Sequence, residues 1–271
     1  MLGTAIIAGP TADVSANAGN KPYNIENVSP DAQLAPSVGD SSSKTSSKAW
    51  HKIDGVCYNG SGKKVEGAIT RGMDVSEWQG KINWKEAKKD LDFAFVRISY
   101  GTRHLDDYYD YNMTEAEAAD VPVGTYVYSL AKTNKEALAE AQLAIRQMQG
   151  HKVSYPVAFD LEDEATLGTL TRKEISQIAL TFCDEIRKAG YTPILYMNLN
   201  WYNNFVDWNV LEGSGLDVWI ASYGDTIFAP STSKYKYTIW QCTAGDEVPG
   251  MISTKTVSYT HLRAHETSQD L

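Results

Sequence analysis

The sequence predicts an α/β fold, specifically a modified (β/α) barrel with a degenerate second half, and three observations lead there. Between residues 71 and 256, apolar period-two runs alternate with helical periods at roughly 30-residue spacing, the pattern of parallel βαβ units. The strand-like runs number seven, close to a barrel's complement. None of them is followed by a Gly-rich phosphate loop, which disfavours the open, doubly wound, nucleotide-binding alternative.

In chain order, residues 1–18 come first. An apolar patch at 2–8 and Ala16-Asn17-Ala18 read either as a secretory signal clipped at its start or as a plain disordered N-terminus, and both readings stay open. Residues 19–69 form a polar linker, with SSSKTSSK at 41–48, and a lead-in ribbon turning at NGSG, 59–62. The barrel is assigned to residues 70–256. Its strands are GMDVSEW (72–78), DFAFVRISY (92–100), PVGTYVYSL (122–130), YPVAFDLE (155–162), TPILYMN (192–198), LDVWIASY (216–223) and YTIWQCT (237–243). Two helices open with T-x-x-E capping boxes begun by Thr133 and Thr171 and stop at Gly150 and Gly190. The second helix carries the apolar stripe Ile175, Ile178, Ala179, Phe182 and Ile186. The link between the last two strands is too short for a good helix, hence the degenerate second half. Residues 257–271, VSYTHLRAHETSQDL, follow neither the periodicity nor the style of the rest and resemble the translation of a sequencing adapter. They are expected to be a non-native tail that packs few apolar side chains onto the barrel, so His261 and His265 receive no metal role despite their i, i+4 spacing.

Composition excludes several classes. At 271 residues and 42% hydrophobic the chain can fill one large core. Its net charge is -9 and it has no Lys/Arg block to follow a phosphate backbone, so nucleic acid is not expected as a partner. No apolar stretch approaches the ~20 residues of a membrane span. Cys57, Cys183 and Cys242 match no metal spacing, and neither metal nor cofactor is expected. Cys183 reads as core, and a Cys57–Cys242 bridge stays open.

The segment YPVAFDLEDEATLG, 155–168, ends an apolar run in Asp160, Glu162, Asp163 and Glu164. Period two places Asp160 and Glu162 on one face. An isolated acidic strand end reads as a helix start suited to the dipole. In a barrel, however, the strands' C-terminal ends form the active face, and there the chain gathers Asp74, Tyr128, Asp160, Glu162, Tyr196, Asn198, Tyr223 and Gln241. Acids, amides and rings together suit a carbohydrate cleft.

GMDVSEWQGKINW, DFAFVRISYGT, VPVGTYVYS, PVAFDLED, LYMNLNWY, DVWIASYG and IWQCT, in this order, resemble the motifs of the glycoside hydrolase family 25 muramidases over about residues 70–256. The resemblance implies a modified β/α barrel that hydrolyses the β-1,4 bond from N-acetylmuramic acid to N-acetylglucosamine in bacterial peptidoglycan. The protein would be a secreted or wall-associated monomer. By position it makes Glu162 the general acid, Asp160 its partner and Asp74 a further cleft acid. Tyr128, Tyr196, Asn198, Trp219, Tyr223, Trp240 and Gln241 become candidate sugar contacts, whereas Trp84 and Trp208 are left to packing. A fourth acid, carried in that family by a Val-Asp-hydrophobic-Asn strand, has no counterpart after VPGMISTKT, so the closing strand is expected to be missing.

A glycosidic bond breaks through an oxocarbenium-like transition state and needs a proton for the leaving oxygen and negative charge near the anomeric carbon. Two residues apart on one strand, Asp160 and Glu162 have Cα atoms about 6.6 Å apart and approach from one side. That suits substrate assistance, in which the 2-acetamido oxygen attacks and Asp160 stabilises the oxazolinium. Water activated by another acid, giving inversion, stays open. Two other functions stay open too: a non-catalytic glycan-binding barrel, and hydrolysis of another N-acetylated glycan such as chitin.

Overall fold

The computed structural model describes residues 51–59, 61–65, 68–223, 237–243, 250–251 and 258–263. The export-signal reading of residues 1–18 and the SSSKTSSK linker lie outside them. The described chain begins with the hairpin β1 (His51–Ile53) and β2 (Val56–Tyr58), turned by Asp54 and Gly55, both at positive φ. The ribbon then reverses again at NGSG, where Asn59 Oδ1 accepts from the backbone amides of Ser61 and Lys63.

The barrel strands follow: β3 (Ala68–Val75), β4 (Phe93–Tyr100), β6 (Val123–Tyr128), β7 (Val157–Asp160), β8 (Pro193–Asn198), β9 (Asp217–Ala221), β10 (Ile239–Thr243) and β11 (Ser258–Arg263). The two-residue β5 (His104–Leu105) folds back on the end of β4. From β4 through β6, β7, β8 and β9 to β10 every neighbouring pair is parallel, as is β3 with β4. The crossovers hold α1 (Trp84–Ala87), α2 (Tyr109–Ala118), α3 (Asn134–Met148), α4 (Glu164–Leu167) and α5 (Arg172–Lys188). Among the described residues after β8 there are two short helices, α6 (Leu199–Asn204) and α7 (Trp208–Leu211), consistent with a degenerate second half.

The strand that resemblance would have placed last is absent among the described residues, as expected, and a different segment takes its position. β11 lies antiparallel between β10 and β3, pairing Gln241 with Thr260 on one side and Asp74 with Ser258 on the other. Backbone from the segment expected to be a tail thus stands between the two edges where the family's closing strand is missing. The physical reason is the two bare edges: β3 and β10 would each present a row of unpaired N–H and C=O groups. The backbone of Ser258–Arg263 can satisfy both. A parallel strand would have required a long crossover, whereas an antiparallel one needs only a return from the mouth.

Two apolar layers follow from strand alternation. Outward residues such as Val96, Phe159 and Met197 pack with the helices, and Phe159 stacks on Phe182 of α5 at 4.1 Å. Inward residues Phe93, Phe95, Tyr155, Ile194 and Trp219 fill the barrel. Phe93 stacks on Tyr155 at 4.7 Å, and Phe95 lies 4.5 Å from Trp219. Such a plug leaves no room on the facing strands, so glycine is required: a Cβ on Gly72 would run into the Phe93 ring, and one on Gly124 into Phe95 and the Pro156 carbonyl.

The predicted caps form, with one difference. Thr171 and Glu174 make a full capping box on α5, with Glu174 reaching back to the Thr171 amide at 2.8 Å. Thr133 caps α3, but Glu136 accepts instead from the Lys132 amide at 2.7 Å, one residue earlier. All three cysteines are buried as thiols and the Cys57–Cys242 bridge is not formed. Trp84 is buried, its indole donating to Asn112, and Trp208 packs on Tyr202, as packing roles require.

Candidate active site

The site is built where β3, β7, β8 and β10 end. Asp160, the last residue of β7, points inward and is 4% exposed. Its backbone carbonyl accepts from the Ser129 amide at 3.0 Å, while its side-chain Oδ1 has no hydrogen-bond partner among the described residues. Burial, followed by the charges of Glu162 and Asp74, pushes the Asp160 carboxyl well above the usual carboxylate range, and Arg97 partly opposes this. The β7 backbone continues its pairing for one more residue, with the Leu161 amide donating to the Tyr196 carbonyl, so Glu162 emerges on the same side as Asp160. Glu162 is half-buried at the rim. Desolvation, then the charge of Asp163, raises its pKa to about 7.

Asp163 turns away, as an acid one position out of phase must. Its Oδ1 caps α4 by accepting from the Thr166 amide at 2.7 Å, and its Oδ2 accepts from the Tyr100 and Tyr128 hydroxyls at 3.2 and 3.3 Å. Those two rings stack at 4.8 Å. Tyr128 therefore stands beside Glu162 but spends its hydroxyl on Asp163.

The other candidates divide. Asp74 reaches the cleft from β3, and Gln241 Nε2 donates to its Oδ2 at 3.0 Å. Gln241 Oε1 accepts from the hydroxyls of Tyr196 and Tyr223, at 2.8 and 2.6 Å. These four side chains meet as one network. Asn198 uses its Oδ1 to cap α6, accepting from the Trp201 amide at 3.0 Å. Trp219 is 2% exposed within the barrel plug, 4.6 Å from the Tyr196 ring, and offers no face to a ligand. Trp240 is a correction: because Gln241 faces inward, its neighbour faces the helix layer, where the indole donates to the Ser222 carbonyl.

Sequence reasoning missed a second charged group at the mouth. Arg97, on β4, is 6% exposed; its Nε donates to Asp106 at 2.9 Å, and its Nη2 lies 2.9 Å from Glu77. Asp106 also accepts from the Glu77 amide at 2.7 Å, tying the turn after β3 to the loop after β5. The signal was a lone arginine in the apolar run FAFVRISY, because a buried cation must be paired. Tyr126, on the same face of β6 as Tyr128, also borders this region, and Asp74, Arg97 and Asp160 all bear on its hydroxyl. Among the described residues no group of His, Cys, Asp and Glu could hold a metal ion, and no helix is long and apolar enough to cross a membrane.

Fold and site together define a β/α-barrel protein with an acidic cleft at the C-terminal mouth of its parallel strands. A family model described as glycosyl hydrolases family 25 matches residues 73–251. The chain belongs to that family. A curated relative, Lysozyme M1 of Streptomyces globisporus, is 25% identical over 67% of this chain and 64% of its own length. The uncharacterized protein YegX of Escherichia coli K12 is also 25% identical, over 66% of this chain and 65% of its own. The chain thus spans about two thirds of the length of these relatives. Among solved structures, a family 25 glycosyl hydrolase from Bacillus anthracis has a TM-score of 0.63 at 21% identity, covering 84% of this chain and 96% of that one. The autolysin LytC of Streptococcus pneumoniae, solved with a synthetic peptidoglycan ligand, has a TM-score of 0.64 at 21% identity, covering 79% and 52%. The shared fold is the modified barrel.

Proposed function

We propose that this protein is a muramidase that hydrolyses the β-1,4 bond from N-acetylmuramic acid to N-acetylglucosamine, exported to act as a monomer on bacterial cell wall. The observation that carries the reading is the pairing on one strand end of two acids with different surroundings. Glu162 keeps its proton up to about pH 7 at the solvent-facing rim, as a general acid must. Asp160 lies two residues deeper with an unpartnered Oδ1, available to a positive or N–H-bearing group. Family membership and the Lysozyme M1 relative support the substrate class.

In this mechanism Glu162 protonates the leaving oxygen while the 2-acetamido oxygen of the cleaved sugar attacks the anomeric carbon. Asp160, ionised as positive charge develops against it and offsets the burial that raises its pKa, accepts a hydrogen bond from the acetamido N–H and stabilises the oxazolinium. Water then opens the ring, with Glu162, now a carboxylate, taking its proton. The product retains its anomeric configuration.

Glu162→Gln tests the assignment, since the amide keeps the shape of the carboxyl but has no proton to deliver. Turnover on peptidoglycan is expected to fall by at least ~10²- to 10⁴-fold with glycan binding nearly intact. Asp160→Asn should lose less. NMR of the first-formed anomer reads the route, and an inverted product removes substrate assistance. Release of chito-oligosaccharides without clearing of peptidoglycan would reassign the substrate, and a fully active Glu162→Gln would overturn the catalytic reading.

A further inference from the structure

Gln241 has both ends of its amide occupied, and the arrangement permits one orientation. It is 2% exposed. Two phenol hydroxyls, those of Tyr196 and Tyr223, donate to Oε1 at 2.8 and 2.6 Å and fill both of its lone pairs. Nε2 is thereby turned toward Asp74, 3.0 Å away. Reversing the amide would set Oε1 against a carboxylate oxygen and give up both phenol bonds. The phenol pair therefore selects the rotamer, and the rotamer aims a donor at the carboxylate.

The backbone does not supply this link. β3 and β10 are not neighbours in the sheet, since β11 lies between them. The bond from Gln241 to Asp74 crosses that seam inside the barrel, between residues 167 apart in sequence. Asp74 is also a cleft acid carried apart from Asp160 and Glu162, and its charge bears on Asp160. Strand register through β4 and β6 places the Asp74 backbone relative to β7, and the Gln241 side chain acts on where its carboxylate points.

We infer that Gln241 is a positioning residue: held by Tyr196 and Tyr223, it fixes the Asp74 carboxylate opposite Asp160 and does not itself bind sugar. This rests on the muramidase reading for its effect on turnover, but not for the contact itself.

A double-mutant cycle of Gln241→Met with Asp74→Asn tests it on defined peptidoglycan fragments. Methionine keeps length and burial but has no N–H. Alone, Gln241→Met should lower kcat by about 10- to 100-fold, with KM within about 2-fold, the pattern of misplaced catalytic groups. In the Asp74→Asn background it should change kcat by less than about 2-fold, because no carboxylate is left to position. The paired change Tyr196→Phe with Tyr223→Phe, which releases the amide while retaining the rings, should reproduce the kcat loss and serves if Gln241→Met does not fold. A carboxyl 13C NMR titration reads the contact without turnover: the Asp74 midpoint should move upward once its donor is removed. Asp160, Tyr126, Tyr196 and Tyr223 face the same space, and the carboxyl of Asp160 is followed in the same spectra. Equal kcat losses in both backgrounds, a loss confined to KM, or an unmoved Asp74 titration would each overturn the inference. An inactive wild type with a shifted Asp74 titration would remove the muramidase reading and leave the strut standing.

Discussion

Asp160 and Glu162 show how two carboxyls, two residues apart, acquire different surroundings from their depth and from the charges around them. Glu162 must be protonated to act, so with its pKa near 7 turnover should decline as pH rises past about 7, read as the basic limb of a kcat profile. Another buried acid lies outside the cleft. Glu140 of α3 is 2% exposed, accepts from Ser129 Oγ and the Leu130 amide at 2.8 and 3.0 Å, and has its pKa raised, mainly by burial, to about 7 from 4.5. A carboxyl that holds its proton more tightly folded than unfolded favours folding most at low pH. That contribution declines as pH climbs from about 4.5 to about 7 and is flat above. Glu140→Gln, which keeps an acceptor for Leu130 and lets the Ser129 hydroxyl rotate to accept, should raise Tm at pH 8 and change it little at pH 4. The stability difference at pH 8 should not exceed about 3 kcal/mol. An equal shift at both pH values would remove the titration as its cause.

At the scale of elements, alternation explains both what was legible and what was not. The run VAFD states that Phe159 faces the helices and Asp160 the interior, and the structure agrees. The same rule applied to YTIWQCT assigns Trp240 and Gln241 to opposite faces, so they could not both line the cleft; taking them as one motif obscured this. Gly124 marks where β6 passes the Phe95 ring. Gly124→Ala should destabilise by roughly 1–3 kcal/mol, because the added methyl meets the ring and a backbone carbonyl rather than a movable chain end. Chemical denaturation with an unchanged m-value would confirm it, and a neutral result would show that the plug can shift.

For the whole molecule, closure of the barrel is the decisive feature. Ending the chain at Met251 removes β11 and bares the facing edges of β3 and β10. The shortened protein should melt at lower temperature and associate more readily than the full chain, as read by calorimetry and light scattering. An unchanged Tm would mean that β11 adds no stability to the ring.

Periodicity, caps and the order of motifs determined the βαβ layout, the helix starts at Thr133 and Thr171, and the acidic end of β7, because each depends on residues within a few positions of one another. The Gln241–Asp74 bond, the pairing of Arg97 with Asp106 and Glu77, and the depth that separates Asp160 from Glu162 were decided only by the tertiary structure. So was the seating of Ser258–Arg263 between β10 and β3. Each of these depends on groups brought together by curling the sheet into a ring. Burial, which sets both the electrostatics of the acids and the need to satisfy strand edges, belongs to the closed ring and to no segment of the sequence.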